Sequence, residues 1–196
     1  AQVTLIGNSM GGQIATIVAK KTPEILQKLI LVDPAGFSTS TARLRKITPY
    51  VKYFDWIFKV GVAARKLIAG SRTLASIFLK IVLWKPKDIS SELLLVLLAG
   101  IGKPGFVPAL HTITRTPVAE FPGEVTTDTV IIWGRNDSLI PKADAFRFAK
   151  MIPQAKLELM DDVGHIPMFE TPDRFNALIE QYIPASAAAA ADSVAA

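Results

Sequence analysis

The stretch Val3-Thr4-Leu5-Ile6-Gly7-Asn8-Ser9-Met10-Gly11-Gly12 decides how the chain is read. Val3 to Ile6 is a short apolar run with β-branched residues, the pattern of a strand buried on both faces. Ile14, Ile17 and Val18 then recur at helical spacing, small Gly12, Ala15 and Ala19 permit close packing on a sheet, and Lys20, Lys21 and Pro23 close the helix. A strand that reverses into a helix within a few residues crowds Cβ atoms, so positions two before and two after the turning residue favour glycine. Gly7 and Gly11 hold those positions around Ser9. On such a turn the serine takes sparsely populated dihedrals and projects over the end of the sheet. The Met10 N–H lies beside it, at a helix N-terminus whose partial positive charge favours a developing oxyanion. Ser9 is therefore a candidate nucleophile and Met10 N–H a candidate oxyanion donor. A glycine-rich loop would read the same way, so the assignment depends on partners elsewhere in the chain.

A serine hydroxyl is a poor nucleophile at its own pKa and needs a base, which in turn needs an orienting acid. The chain has two histidines. His165 lies in Asp161-Asp162-Val163-Gly164-His165-Ile166-Pro167, directly after the strand-like Leu157-Glu158-Leu159-Met160. That is the carboxyl end of a strand, where open α/β sheets collect active-site groups. His111 lies between Pro108 and Pro117 with no strand before it and reads as a structural or surface residue. Asp137 follows the buried-type run Thr129-Val130-Ile131-Ile132-Trp133 through Gly134-Arg135-Asn136 and is the favoured acid. Asp33, at the end of Leu29-Ile30-Leu31-Val32 and before Pro34, is the rival, and its simpler reading is a turn residue. Asp161 and Asp162 are too close in sequence to His165 to be preferred.

The order Ser9, Asp137, His165, carried by "GNSMGG", "WGRNDSLIP" and "DDVGHIPMFETPDRF", resembles the α/β-hydrolase family in its nucleophile, acid and histidine segments. The resemblance covers residues 1 to about 40 and about 120 to 184. It implies an α/β fold with a mostly parallel sheet flanked by helices, in which the four strands match the family's last four. The expected core is residues 1–36 and 119–184, with a helical lid insertion at 37–118. The resemblance also implies further strands, and a loop supplying a second oxyanion N–H, upstream of the nucleophile strand. On that basis the sequence reads as a portion of a longer protein. Its first strand is then expected to form an unguarded edge that favours aggregation or dimerisation and poor ester hydrolysis.

Net charge +5 conceals a partition. Between Phe37 and Val118 there are 13 lysines and arginines against 3 acids, so the insertion is basic and the remainder acidic. The insertion is also rich in Tyr50, Tyr53, Phe54, Trp56, Ile57, Phe58, Phe78, Trp84 and the run Leu93 to Leu98. This pattern predicts short helices broken near Gly61, Gly70, Pro86, Gly100 and Pro104, too short to span a bilayer. Three readings compete: a solvated apolar cover, an interfacial surface for anionic membrane, and nucleic-acid binding, the last unsupported by any binding motif. Zero cysteines exclude disulfides and thiolate metal sites, and the distant histidines suggest no metal cluster and no cofactor. A cytoplasmic or membrane-peripheral location is preferred to secretion. The alanine-rich end, residues 185–196, reads as a disordered tail.

The expected chemistry is acyl transfer to water: a serine hydrolase cleaving small apolar carboxylic esters, lipase-like, through an acyl-enzyme. Phe37, Leu139 and Ile166 follow strand ends and are candidate pocket residues. Carbon–carbon bond hydrolysis of ring-cleavage products is the alternative, since such enzymes are similar to this chain at "GNSMGG". They usually carry Trp after the histidine, where Ile166 stands. A non-catalytic binding protein on the same fold is the third reading.

Overall fold

The computed structural model describes residues 2–37, 71–100 and 105–183. Four strands form one sheet in the order β1 (Val3–Asn8), β2 (Leu26–Val32), β3 (Thr129–Gly134) and β4 (Lys156–Met160), and every neighbouring pair is parallel. Helix α1 (Met10–Lys21) joins β1 to β2, and α5 (Ala143–Met151) joins β3 to β4. The chain then continues into α6 (Pro167–Glu170) and α7 (Pro172–Glu180). Parallel neighbours require such crossovers, because a hairpin can only return a strand antiparallel.

Side chains alternate across the sheet, and the two faces sort cleanly. Leu29, Leu31, Ile131 and Trp133 join Ala15 and Ala19 of α1 and Phe148 and Ile152 of α5 in one buried cluster. Ile30, Val32, Val130 and Ile132 point the other way, onto Phe175 and Ile179 of α7. Helices therefore cover both faces, which is why β2 and β3 are continuous apolar runs rather than alternating ones. Phe37 and Phe148 meet edge to face with centroids 4.7 Å apart, closing the first cluster near the strand ends.

Between β2 and β3 the described part of the insertion holds α2 (Arg72–Leu79), α3 (Ser91–Gly100) and α4 (Phe106–Arg115), with a single 3-10 turn at Pro86–Asp88. The helix breaks near Pro86 and Gly100 appear where the sequence places them. Those at Gly61, Gly70 and Pro104, the aromatic residues from Tyr50 to Phe58, and the tail lie outside the described residues. Ala75, Leu79, Leu83, Ile89 and Leu94 form a third cluster with Ile166, so the insertion packs onto the segment that carries His165. Among the described residues no helix is long and apolar enough to cross a membrane.

The register aligns the strands at their carboxyl ends: Asn8 opposite Val32, Val32 opposite Ile132, and Gly134 opposite Met160. Ser9, Asp33, Asp137 and His165 each lie in the segment that follows one of these ends. Four loops converge on one rim of the sheet, the position that collects ligands in open α/β folds.

Candidate active site

Ser9 sits between β1 and α1 with φ 54° and ψ −118°, a backbone conformation that costs a non-glycine residue free energy unless neighbours impose it. Three backbone hydrogen bonds do so. The Ser9 N–H donates to Val32 O at 3.0 Å, and Ser9 O accepts from Gln13 N–H at 3.1 Å and Ala35 N–H at 2.9 Å. The Ser9 side chain does not cap α1. Met10 is the first residue of that helix, so its N–H has no intrahelical acceptor.

The glycines around Ser9 divide the labour differently from the symmetric expectation. A Cβ on Gly7 would collide with the carbonyl of Gly11 and stand 2.8 Å from Gly12 N. A Cβ on Gly11 would meet nothing within 4 Å, whereas one on Gly12 would stand 2.6 Å from Pro34 Cβ. Crowding after the turn therefore falls at Gly12, where α1 crosses the loop after β2, and not at Gly11. The helix has already turned away from β1 by Gly11.

His165 and Asp137 meet directly: His165 Nδ1 lies 2.7 Å from Asp137 Oδ2, with the two side chains 4% and 0% exposed. Asp137 Oδ1 accepts from the N–H groups of Leu139 at 2.8 Å and Ile140 at 2.9 Å, so the carboxylate is anchored by its own loop. With Nδ1–H donated to Asp137, His165 Nε2 is left as an acceptor. Nε2 is buried and has no hydrogen-bond partner among the described residues. The loops that carry the pair are stitched together by Arg135 N–H to Met160 O and Asn136 N–H to Val163 O, each 2.9 Å.

Three residues that sequence reasoning missed fix this rim. Asn8 Nδ2 donates to Val32 O and to His165 O, both at 3.1 Å, tying the residue before Ser9 to the histidine. Glu170 accepts from Gly164 N–H at 2.8 Å and from Trp84 N–H at 2.7 Å, clasping the insertion to the histidine loop. Burial pushes the Glu170 carboxyl above its ordinary value, against the lowering effect of those N–H donors. Gln13, buried in α1, donates to Thr116 O at 2.5 Å and so holds the far end of the insertion. Of these only Asn8, adjacent to the serine, carried a positional hint.

The other sequence candidates are placed as follows. Phe37 and Leu139 pack on the first apolar cluster, and Ile166 is buried under the insertion. A cavity of about 820 Å³ opens instead on the insertion, between Arg72, Ser76, Lys80, Trp84, Lys85 and Lys87. It includes none of Ser9, Asp137 or His165. Asp33, read from sequence as a turn residue, is fully buried with φ 41°, and a carboxylate oxygen of it lies within 4.8 Å of ligand atoms of both Asp137 and His165. Such a trio of donor types is found around metal ions. Here Asp137 is already committed to three N–H donors, which leaves it poorly suited to coordinate a cation. His111 lies on α4.

Comparison with known proteins agrees with this architecture. A family model for the alpha/beta hydrolase fold matches residues 1–172, and the chain belongs to that family. Its relatives include a 2-hydroxy-6-oxononadienedioate/2-hydroxy-6-oxononatrienedioate hydrolase of Pseudomonas putida, 25% identical over 93% of this chain and 63% of the relative. Lipase 1 of Psychrobacter immobilis is 27% identical over 85% of this chain and 51% of its own length. Among solved structures, the meta-cleavage product hydrolase CumD of Pseudomonas fluorescens IP01 superimposes with TM-score 0.60 at 20% identity, over 92% of this chain and 64% of that one. The chain thus spans between half and two thirds of the length of these relatives.

Proposed function

We propose that the protein is a serine hydrolase of carboxylic esters with apolar acyl groups. The observation that carries this reading is the buried 2.7 Å contact of His165 Nδ1 with Asp137 Oδ2, which leaves Nε2 unpartnered on the rim that also holds the strained Ser9. In this mechanism Ser9 Oγ attacks the ester carbonyl carbon while His165 Nε2 takes its proton. Asp137 holds the ring and stabilises the imidazolium, and Met10 N–H donates to the tetrahedral oxyanion. Collapse expels the alcohol with a proton from Nε2 and leaves an acyl group on Ser9. Water then attacks the acyl-enzyme with the same proton transfers, releasing the acid.

The insertion serves as a lid in this reading. Its apolar helices and Ile166 would face the acyl chain, with Phe37 and Leu139 shaping the floor. The four cations around the 820 Å³ cavity, Arg72, Lys80, Lys85 and Lys87, support a further role in holding the protein to anionic membrane. That contact would weaken steeply in a salt series of vesicle sedimentation, because surface attraction is screened over about 8 to 10 Å at physiological ionic strength.

A second reading is favoured by the names of the relatives: hydrolysis of a carbon–carbon bond in a ring-cleavage product. Ester hydrolysis is placed first because Ile166 follows the histidine where those enzymes usually carry Trp. The test compares p-nitrophenyl esters of graded chain length with a vinylogous 1,5-diketone ring-cleavage product. The ester reading expects turnover that rises with acyl length and none of the diketone. Diketone cleavage with slow ester turnover would replace it by the second reading.

A further inference from the structure

Asp33 is a second buried carboxyl at the heart of the candidate site, and the mechanism above does not use it. Its backbone N–H donates to Ile132 O at 2.9 Å, and its Oδ1 accepts from Gly134 N–H at 2.9 Å. Its Oδ2 is buried with no partner among the described residues. The side chain therefore sits at the end of β2 with one donor satisfied, one oxygen orphaned and Asp137 beside it. A buried, ionised carboxylate in that setting would carry both a desolvation cost and the repulsion of a like charge.

Hydrogen-bond capacity resolves the conflict. An ionised carboxylate has about four acceptor sites. Asp137 uses three of them, two on Oδ1 for Leu139 and Ile140 N–H and one on Oδ2 for His165 Nδ1. One acceptor site of Asp137 remains, and Asp33 Oδ2 lacks a partner. We propose that Asp33 is a positioning residue of the triad: it carries a proton on Oδ2 and donates it to Asp137, holding that carboxylate in line with His165. This rests on the reading of Ser9, His165 and Asp137 as a triad. One proton then neutralises the extra charge, satisfies the orphan oxygen and completes the coordination of the acid.

Electrostatics around the group point the same way. Burial, then the charge of Asp137, hold the Asp33 carboxyl well above the usual carboxylate value, with Glu170 adding to the rise. The Gly134 N–H opposes them. The nearby cations are engaged elsewhere, Arg135 with Asp161 and Lys85 with Asp162. Ionisation of Asp33 at alkaline pH would set two carboxylates against each other next to the imidazole and disturb the alignment of Asp137.

The test uses Asp33→Asn and Asp33→Leu. The amide of Asn keeps the shape, accepts from Gly134 and donates to Asp137 at every pH. Leu removes both contacts. Infrared difference spectra at neutral pH in D2O are expected to show a protonated-carboxyl carbonyl band in the parent protein that is absent from Asp33→Asn, with Glu170→Gln as the control for the other raised carboxyl. In the pH profile of p-nitrophenyl ester hydrolysis, the parent loses turnover on the alkaline side and Asp33→Asn does not. Asp33→Leu falls about tenfold or more below Asp33→Asn, the scale of one buried hydrogen bond to a charged group. No carbonyl band assignable to Asp33, or a collapse of turnover in Asp33→Asn as deep as in Asp137→Asn, would overturn the proposal. The infrared band does not depend on catalysis: its presence in a protein without esterase activity would leave the carboxyl pair standing and remove the triad instead.

Discussion

Strands β1 and β3 are built from the same kind of sequence, Val3-Thr4-Leu5-Ile6 against Thr129-Val130-Ile131-Ile132, yet they are buried very differently. All six residues of β3 are buried, whereas in β1 Val3 is 51% and Ile6 46% exposed. β3 lies between β2 and β4, while β1 is paired on one side only among the described residues. Apolar, β-branched runs specify that a strand forms; its neighbours specify how much of it is buried. The two strands also hold the two ends of the candidate triad, with Ser9 after β1 and Asp137 after β3. Position on the rim is set for both by backbone hydrogen bonds rather than by burial. Ser9 is held by Val32 and Ala35 of the β2 segment, and the Asp137 loop by Met160 and Val163 of the β4 segment.

The largest expected effect breaks the chemistry at the β3 end and leaves its packing alone. Asp137→Asn preserves shape but presents a donor where His165 Nδ1–H needs an acceptor, so turnover should fall about ten-thousandfold with the thermal midpoint little changed. Steady-state ester kinetics and a melting curve check both halves. A small loss would move the role of acid to Asp33.

Packing separates the two strands next. Ile131 is fully buried in the principal cluster, so Ile131→Ala should destabilise by about 2–5 kcal/mol. Ile6, half exposed on β1, should cost under about 1 kcal/mol on the same change. Urea unfolding of the two variants measures the difference. Equal losses would mean that β1 is covered by something beyond the described residues.

The smallest effect sharpens the comparison at the β1 turn. Gly7→Ala should destabilise by about 1–3 kcal/mol, because the new methyl overlaps the Gly11 carbonyl. Gly11→Ala, in open space inside α1, should be neutral or stabilise by up to about 1 kcal/mol through lower unfolded-state entropy. Thermal melts of the pair test whether the pattern reflects crowding at both positions or at one.

Much of this was legible in the sequence. The strands at Leu29–Val32 and Leu157–Met160 stand inside the observed β2 and β4, since long apolar runs flanked by turn residues leave few alternatives. The pairing of His165 with Asp137 follows from placing each after a strand end. What escaped is contact between residues far apart in the chain. Asp33 before Pro34 has the local signature of a turn, and nothing nearby in sequence announces that β2 delivers its carboxyl beside Asp137. Glu170 likewise looks like an ordinary first-turn helix acid, and its clasp on Trp84 spans 86 positions. The symmetric argument for Gly7 and Gly11 failed because it fixed sequence offsets without the helix crossing at Pro34.

The central claim is that Ser9 is the acylated residue, and active-site labelling tests it most directly. A fluorophosphonate should form a single adduct, located by peptide mass spectrometry on the segment containing Ser9 and absent from Ser9→Ala. It should also be slowed strongly by His165→Ala. An adduct on another residue, or one that survives Ser9→Ala, would contradict the account, and so would no labelling at all of protein shown by its melting curve to be folded.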